Sequence, residues 1–263
     1  MEVDFGSVTG IVIAVGALFA AILIDHDNIS IFLNPAAFLL VLGGTIGATA
    51  ISVGVDEVFM IPRLIGIVFS SRRMEHDFDA IIELFRRLAK VRNRARITDE
   101  VKSRDKFLRK GLAFVAEGQN AEQVKEILSR DIETMRYRHE TAANTFQIAA
   151  GYAPTMGIMG TVVGLISVLT KASMTGSSLG AAFASFGTAF VATFLGIATA
   201  NLFWMPMYAK LTMKSEKEII ARQLMLEGIT LLATGKVDEI TIADRMNSFL
   251  KTAMQEDLNA REA

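Results

Sequence analysis

The chain has 263 residues, is 51% hydrophobic and carries a formal net charge of −1. That balance gives no purchase on a nucleic-acid backbone, and the absence of cysteine excludes disulfides, thiolate metal sites and cysteine nucleophiles. The charges are clustered: the runs 5–24, 28–55, 141–170 and 172–209 contain no Asp, Glu, Lys, Arg or His, and each reaches the roughly 20 residues that cross a bilayer core as a helix.

The first run predicts a helix over 8–24. It lacks a basic lead and an Ala-x-Ala cleavage site, so it reads as a retained crossing and not a signal peptide. Asp25-His26-Asp27-Asn28 follows as a polar turn with too few ligands for a metal. The second crossing should begin at Asn34-Pro35, with Asn34 as N-cap and Pro35 at the first helical position. Gly43-x-x-x-Gly47 is a helix-contact signature in an apolar run. A phosphate-loop reading of these glycines fails, because no Lys-Ser/Thr follows and no strand precedes.

From Asp56 the composition is that of a soluble helical domain. Phe78, Ile81, Ile82, Phe85, Leu88 and Ala89 recur at helical spacing. Arg86, Arg87, Lys90, Arg92, Arg94 and Arg96 form a basic stretch, either a solvated face or a docking surface for an acidic partner. A helix over 99–116 should end at Gly118, and Asn120-x-x-Gln123 has the form of a capping box. No helix stop lies between Asn120 and Gly151, so one long helix is expected to leave the cytoplasm and enter the membrane as the third crossing.

In that crossing Gly157, Gly160 and Gly164 line one face, where another helix can approach closely. Pro154 removes a backbone donor and favours a kink. A turn at 175–179 precedes the fourth helix, with Ser178 as its cap. Ala192-x-x-x-Gly196-x-x-x-Ala200 is a second small-residue stripe. Asn201, Trp204, Pro206 and Tyr208 mark an interface. Helix continues over 214–233 to a stop at Gly235. Thr241-x-x-Asp244 is expected to open a last short helix, and the residues after Gln255 are polar.

Of the 27 Lys and Arg, 18 lie between Asp56 and Asn144 and 8 after Trp204. The positive-inside rule therefore puts both segments, and the two termini, in the cytoplasm. The expected fold is all-α: a polytopic membrane protein with four transmembrane helices and a helical cytoplasmic domain. Its divisions are crossings one and two over 1–55, a cytoplasmic helical domain over 56–144, crossings three and four over 145–209, and cytoplasmic helices over 210–263.

Ionisable side chains inside a membrane usually mark a proton or ion path, and none lies in these crossings. The chain cannot relay protons through a carboxylate of its own. It could still line a path with Thr155, Thr161, Ser167, Thr188 and Thr193, the titrating group coming from a partner. The competing reading is that each threonine bonds its own backbone at i−4. No nucleophile–base set or metal cluster points to an enzyme.

Tyr152-Ala153-Pro154-Thr155-x-Gly157-x-x-Gly160-Thr161-Val162-x-Gly164-Leu165 resembles the third-helix motif of the MotA/PomA family of flagellar stator proteins. Leu42-Gly43-Gly44-Thr45-x-Gly47-Ala48 is similar to that family's second helix. Phe107-Leu108-Arg109-Lys110-Gly111-Leu112, Glu227-Gly228-Ile229 and Pro206-x-x-Ala209-Lys210-Leu211 match further points along nearly the whole chain. The resemblance implies a ring of identical subunits, a homopentamer in the bacterial inner membrane, around a peptidoglycan-anchored MotB/PomB-type partner that carries the ion-binding Asp. It implies that ion flow drives torque on the rotor protein FliG. Pro154 and Pro206 would couple the two, and Thr155, Thr161, Ala192 and Thr193 would lie along the ion path. Gly43, Gly47, Gly157, Gly160, Gly164 and Gly196 would pack helices. Arg92 and Glu100 keep the spacing of the rotor-contact pair, in a segment that otherwise departs from the family pattern. Ala192 stands where sodium-type members carry Thr, so H+ is the expected ion and Na+ the alternative, with no cofactor. The competing assignment is an ExbB/TolQ-like energiser of envelope processes, whose members typically have three crossings where this chain reads as four.

Overall fold

The computed structural model describes residues 2–25, 32–71, 77–91, 97, 105–175, 179–235 and 237–262. Among the described residues, four helices are long and apolar enough to cross a membrane. The chain divides into two compact units, Met1–Ser71 with Glu140–Thr212, and Arg72–His139 with Met213–Ala263.

In the first unit, α1 spans Phe5–Asp25. Ile11 meets the unit's core, while Val12, Ile13, Phe19, Leu23 and Ile24 are exposed, a surface that requires lipid or protein around it. The second crossing opens with α2 (Pro35–Phe38), and the Asn34 side chain accepts from the Ala36 and Ala37 N–H groups at 3.1 and 3.3 Å. A π-helical turn, Leu39–Gly43, then leads into α3 (Gly44–Val53). Ala37, Val41, Thr45 and Thr49 form the buried stripe of this crossing.

Gly54, at φ 96°, ends α3 in a conformation that a β-carbon resists. The short helices α4 (Val55–Phe59) and α5 (Ile61–Phe69) follow, two elements that the sequence pattern did not separate. Leu64 and Val68 of α5 join a core with Phe146, Ala149, Ala150, Ala153, Trp204 and Met207. A two-residue antiparallel pair, Glu2–Val3 with Ser70–Ser71, closes the N-terminus onto the end of α5.

The helix α8 runs unbroken over Ala121–Thr175, as the missing stop signals required. The helix α9 spans Leu179–Thr199, a second π-helical turn spans Ala200–Trp204, and α10 spans Met205–Thr234. Ser178, the expected cap of α9, lies outside the described residues. Lys210 of α10 ion-pairs with Asp4 at 2.7 Å. The lysine's hydrogen bond holds the Asp4 carboxyl down at about 2.

The second unit is built on α6 (Phe78–Ala89), α7 (Lys106–Ala116), the first part of α8, the latter part of α10, and α11 (Glu239–Glu262). Asp77 caps α6 and Asp105 caps α7 through the Leu108 N–H at 2.9 Å. The helix expected over 99–116 is seen from Lys106, where Asp105 satisfies an open N–H group; residues 98–104 lie outside the described residues. Asn120 accepts from the Glu122 N–H at 2.8 Å, and Gly118 and Gly235 take positive φ at their helix stops. The last helix begins at Glu239, two residues before the expected Thr241. The Asp238 carboxylate accepts from Thr241 there, and that bond lowers its pKa. This helix also continues to Glu262, beyond the polar boundary expected at Gln255.

Phe85, Leu112, Val115, Leu128, Leu224, Ile229, Ile242 and Met246 fill the core of this unit. Gly111 lies against Ile229 and Leu128, and Gly228 lies under the Phe85 ring. Arg222 ties α10 to the cap of α7: it pairs with Asp105 and Glu218 and stands 5.3 Å over the Phe107 ring.

Candidate functional site

Of the hydroxyls expected to line a path, Thr161 and Thr193 meet where α8 packs on α9, while Ser167 is exposed. A β-carbon built at Gly157 would lie 2.7 Å from the Ala192 carbonyl oxygen, and one at Gly196 would lie 2.5 Å from the Ala153 carbonyl oxygen. The equivalent atoms at Gly160 and Gly164 would lie 2.6 Å from the Ala192 and 2.8 Å from the Ala189 side chains. The two backbones therefore touch, because none of these four positions carries a side chain.

Close approach brings two hydroxyls together. Thr161 Oγ1 lies 2.5 Å from Thr193 Oγ1, 3.1 Å from the Ala189 carbonyl and 3.3 Å from the Gly157 carbonyl. Thr193 Oγ1 also reaches the Gly157 carbonyl at 3.3 Å. Each hydroxyl has one proton to give. One proton bridges the two threonines and the other goes to a carbonyl. Four oxygens thus form a neutral cluster that can bond a passing ion or carboxyl group but cannot itself carry a proton. Ala192 is buried, its methyl against Gly160.

Thr155 sits apart from this cluster. It is exposed and donates to the Tyr152 carbonyl at 2.7 Å. Pro154 lies inside α8, so the Ala150 carbonyl loses its helical donor. Pro206 stands two residues past the end of the π-helical turn Ala200–Trp204, so the carbonyl four residues back lies inside that turn. The wider turn leaves room for a ring that would otherwise press on the carbonyl four residues back.

The second crossing packs on the same pair of helices. Ala37 and Val41 cluster with Ala192 and Leu195, Leu40 meets Gly160, and Gly44 meets the Met156 side chain. Gly43 and Gly47 have nothing within 4 Å of a built β-carbon. In this chain the close contact on the second crossing is at Gly44. Thr45 is fully buried and its hydroxyl has no partner among the described residues. Arg92 and Glu100 lie outside the described residues.

The sequence profile of the MotA/TolQ/ExbB proton channel family matches residues 99–224, which include α7, α8, α9 and most of α10. Motility protein A of Bacillus subtilis is 34% identical over 90% of this chain and 87% of its own length. The chain belongs to this family. A second B. subtilis member, the uncharacterized protein YtxD, is 30% identical over 78% of this chain and 75% of its own. Among solved structures, the flagellar MotAB stator complex of B. subtilis has a chain that superposes with TM-score 0.84 at 31% identity, covering 92% of this chain and 94% of that one. The crossings carry no Asp, Glu, Lys, Arg or His, and where α8 meets α9 they present hydroxyls and carbonyls instead.

The sequence did not disclose two polar contacts of the membrane unit, Asp4 with Lys210 and Tyr152 with Ser52, nor the buried Thr45 hydroxyl. The first two join residues 206 and 100 positions apart, and no local pattern encodes such pairs.

Proposed function

We propose that this chain is a flagellar motor stator subunit. With a MotB-type partner it forms an ion-conducting complex that converts ion flow into torque on the rotor. The observation that carries this reading is the α8–α9 contact. There a hydroxyl and carbonyl cluster occupies a crossing free of Asp, Glu, Lys, Arg and His. A conducting complex must then take its titrating carboxylate from a second protein.

The partner's carboxylate loads a proton, passes beside Thr161 and Thr193, and releases it on the cytoplasmic side. Na+ is the alternative ion, and Ala192 in place of a threonine favours H+. Pro154 and Pro206 transmit the resulting motion to the cytoplasmic helices, where Arg92 and Glu100 engage FliG. The subunits form a homopentameric ring in the bacterial inner membrane with both termini in the cytoplasm. The whole-length similarity to Motility protein A and the four helices of crossing length support a flagellar stator over an ExbB/TolQ-like energiser.

Supplying this chain and its partner to a cell that lacks stators tests the reading. Restored rotation that stops on dissipating the proton gradient is the expected result. Rotation that never returns while both proteins are present in the membrane would overturn it. Pro154→Ala and Pro206→Ala should leave the complex assembled and lower its torque.

A further inference from the structure

The turn of α8 from Ala150 to Pro154 is the weakest part of that helix by composition. It contains Gly151 and Pro154, the two poorest helix formers. It also lacks the bond that a donor at 154 would have made to the Ala150 carbonyl. One side of it is held by shape alone, the Ala153 carbonyl seated against Gly196 of α9. The other side is held by a hydrogen bond, Tyr152 Oη to Ser52 Oγ at 2.8 Å, reaching the last turn of α3.

Hydrogen accounting fixes the direction of that bond. Ser52 has a single hydroxyl proton and gives it to the Ala48 carbonyl at 3.0 Å. Tyr152 must therefore be the donor and Ser52 the acceptor. Among the described residues this is the side-chain bond that runs from the proline turn to another helix.

We infer that the Tyr152 hydroxyl is a positioning group that fixes the angle at which α8 passes through its proline turn, by donating to Ser52. The cross-helix bond does for this turn what the missing intrahelical bond cannot. Gly44 against Met156, one turn further along α8, keeps α3 in place as the fixed post. The consequence for torque rests on the stator reading above; the consequence for the turn itself does not.

Both are tested on the assembled complex. Tyr152→Phe removes only the hydroxyl, Ser52→Ala removes its acceptor, and Ser52→Thr keeps it. Backbone hydrogen exchange of residues 150–156 should speed up by about two- to fivefold in Tyr152→Phe and in Ser52→Ala, the shift one net hydrogen bond supports. The double variant should exchange no faster than either single one, and Ser52→Thr should match the parent. In rotation of a tethered bead, the speed step added by each recruited stator should fall in the same two variants. The frequency of recruitment should hold, which a merely structural loss would lower. Unchanged exchange in Tyr152→Phe would overturn the inference, as would additive effects in the double variant. Altered exchange together with full step height would remove only the link to torque.

Discussion

Replacing Gly157 with alanine tests the α8–α9 contact with one methyl. The built β-carbon meets only backbone: the Ala192 carbonyl oxygen at 2.7 Å, Thr193 Cα at 3.0 Å and Gly196 Cα at 3.2 Å. No side chain can swing away, so the helices must separate by roughly 0.7 Å to restore ordinary contact. That movement stretches the bond from Thr161 to the Ala189 carbonyl, now 3.1 Å, to about 3.8 Å, beyond hydrogen-bond reach. Overpacking costs about 1–3 kcal/mol; the Thr161 hydroxyl keeps the Gly157 carbonyl of its own helix at 3.3 Å, so the lost bond adds about 0.5–1.5 kcal/mol. A net loss near 3 kcal/mol lowers Tm by about 6–12 °C in a chain of this size. Gly47→Ala is the matched control. It brings the same gain in helix propensity at a position with nothing within 4 Å. Thermal unfolding of the purified chain in detergent should separate the two variants by that margin. Equal Tm values for Gly157→Ala and Gly47→Ala would refute the reasoning.

Three further outcomes follow from charged groups outside the crossings. Lys210 holds the Asp4 carboxyl at about 2 against an ordinary 3.8, so its stabilisation is present above 3.8 and is lost as pH falls toward 2. Asp4→Asn should cost at most about 1 kcal/mol, since both partners are partly solvated, and the difference from the parent should vanish in melts near pH 2. Burial pushes the His139 imidazole below its ordinary 6.5, helped by Arg138 and Arg222 and opposed by Glu218. The unfolded chain then binds the proton more readily, and stability should drop as pH falls below 6.5. His139→Gln should flatten that slope in melts between pH 7 and 5. Arg222→Ala leaves Asp105 and Glu218 without their shared cation in a half-buried setting. It should lose about 2–4 kcal/mol, read as a lower Tm and faster hydrogen exchange at the start of α7.

Much of the fold was written locally. Asn34-Pro35 announced the start of the second crossing, and the stretch from Asn120 to Gly151 offered nothing that could end a helix. Gly157, Gly160 and Gly164 lie where their spacing put them, because α8 is regular there and the small-residue face stays in phase. On the second crossing Gly44 meets the Met156 side chain of α8, while a β-carbon at Gly43 or Gly47 has nothing of this chain within 4 Å, which leaves that pair open to another helix. The start of α7 at Lys106 rests on Asp105, whose carboxylate caps the helix and pairs with Arg222 of α10, a contact 117 residues away that no local pattern encodes. Thr161 was legible as a polar residue on a small-residue face. Its partnership with Thr193 needed the crossing of two helices 32 residues apart in sequence.

The most direct measurement is the ion current of this chain in lipid vesicles, alone and together with a MotB-type partner. Crossings without Asp, Glu, Lys, Arg or His predict no proton or sodium flux from the chain alone. Flux should come only with the partner present, and should disappear when the partner's membrane carboxylate is made an amide. A selective current from the chain by itself would contradict the account.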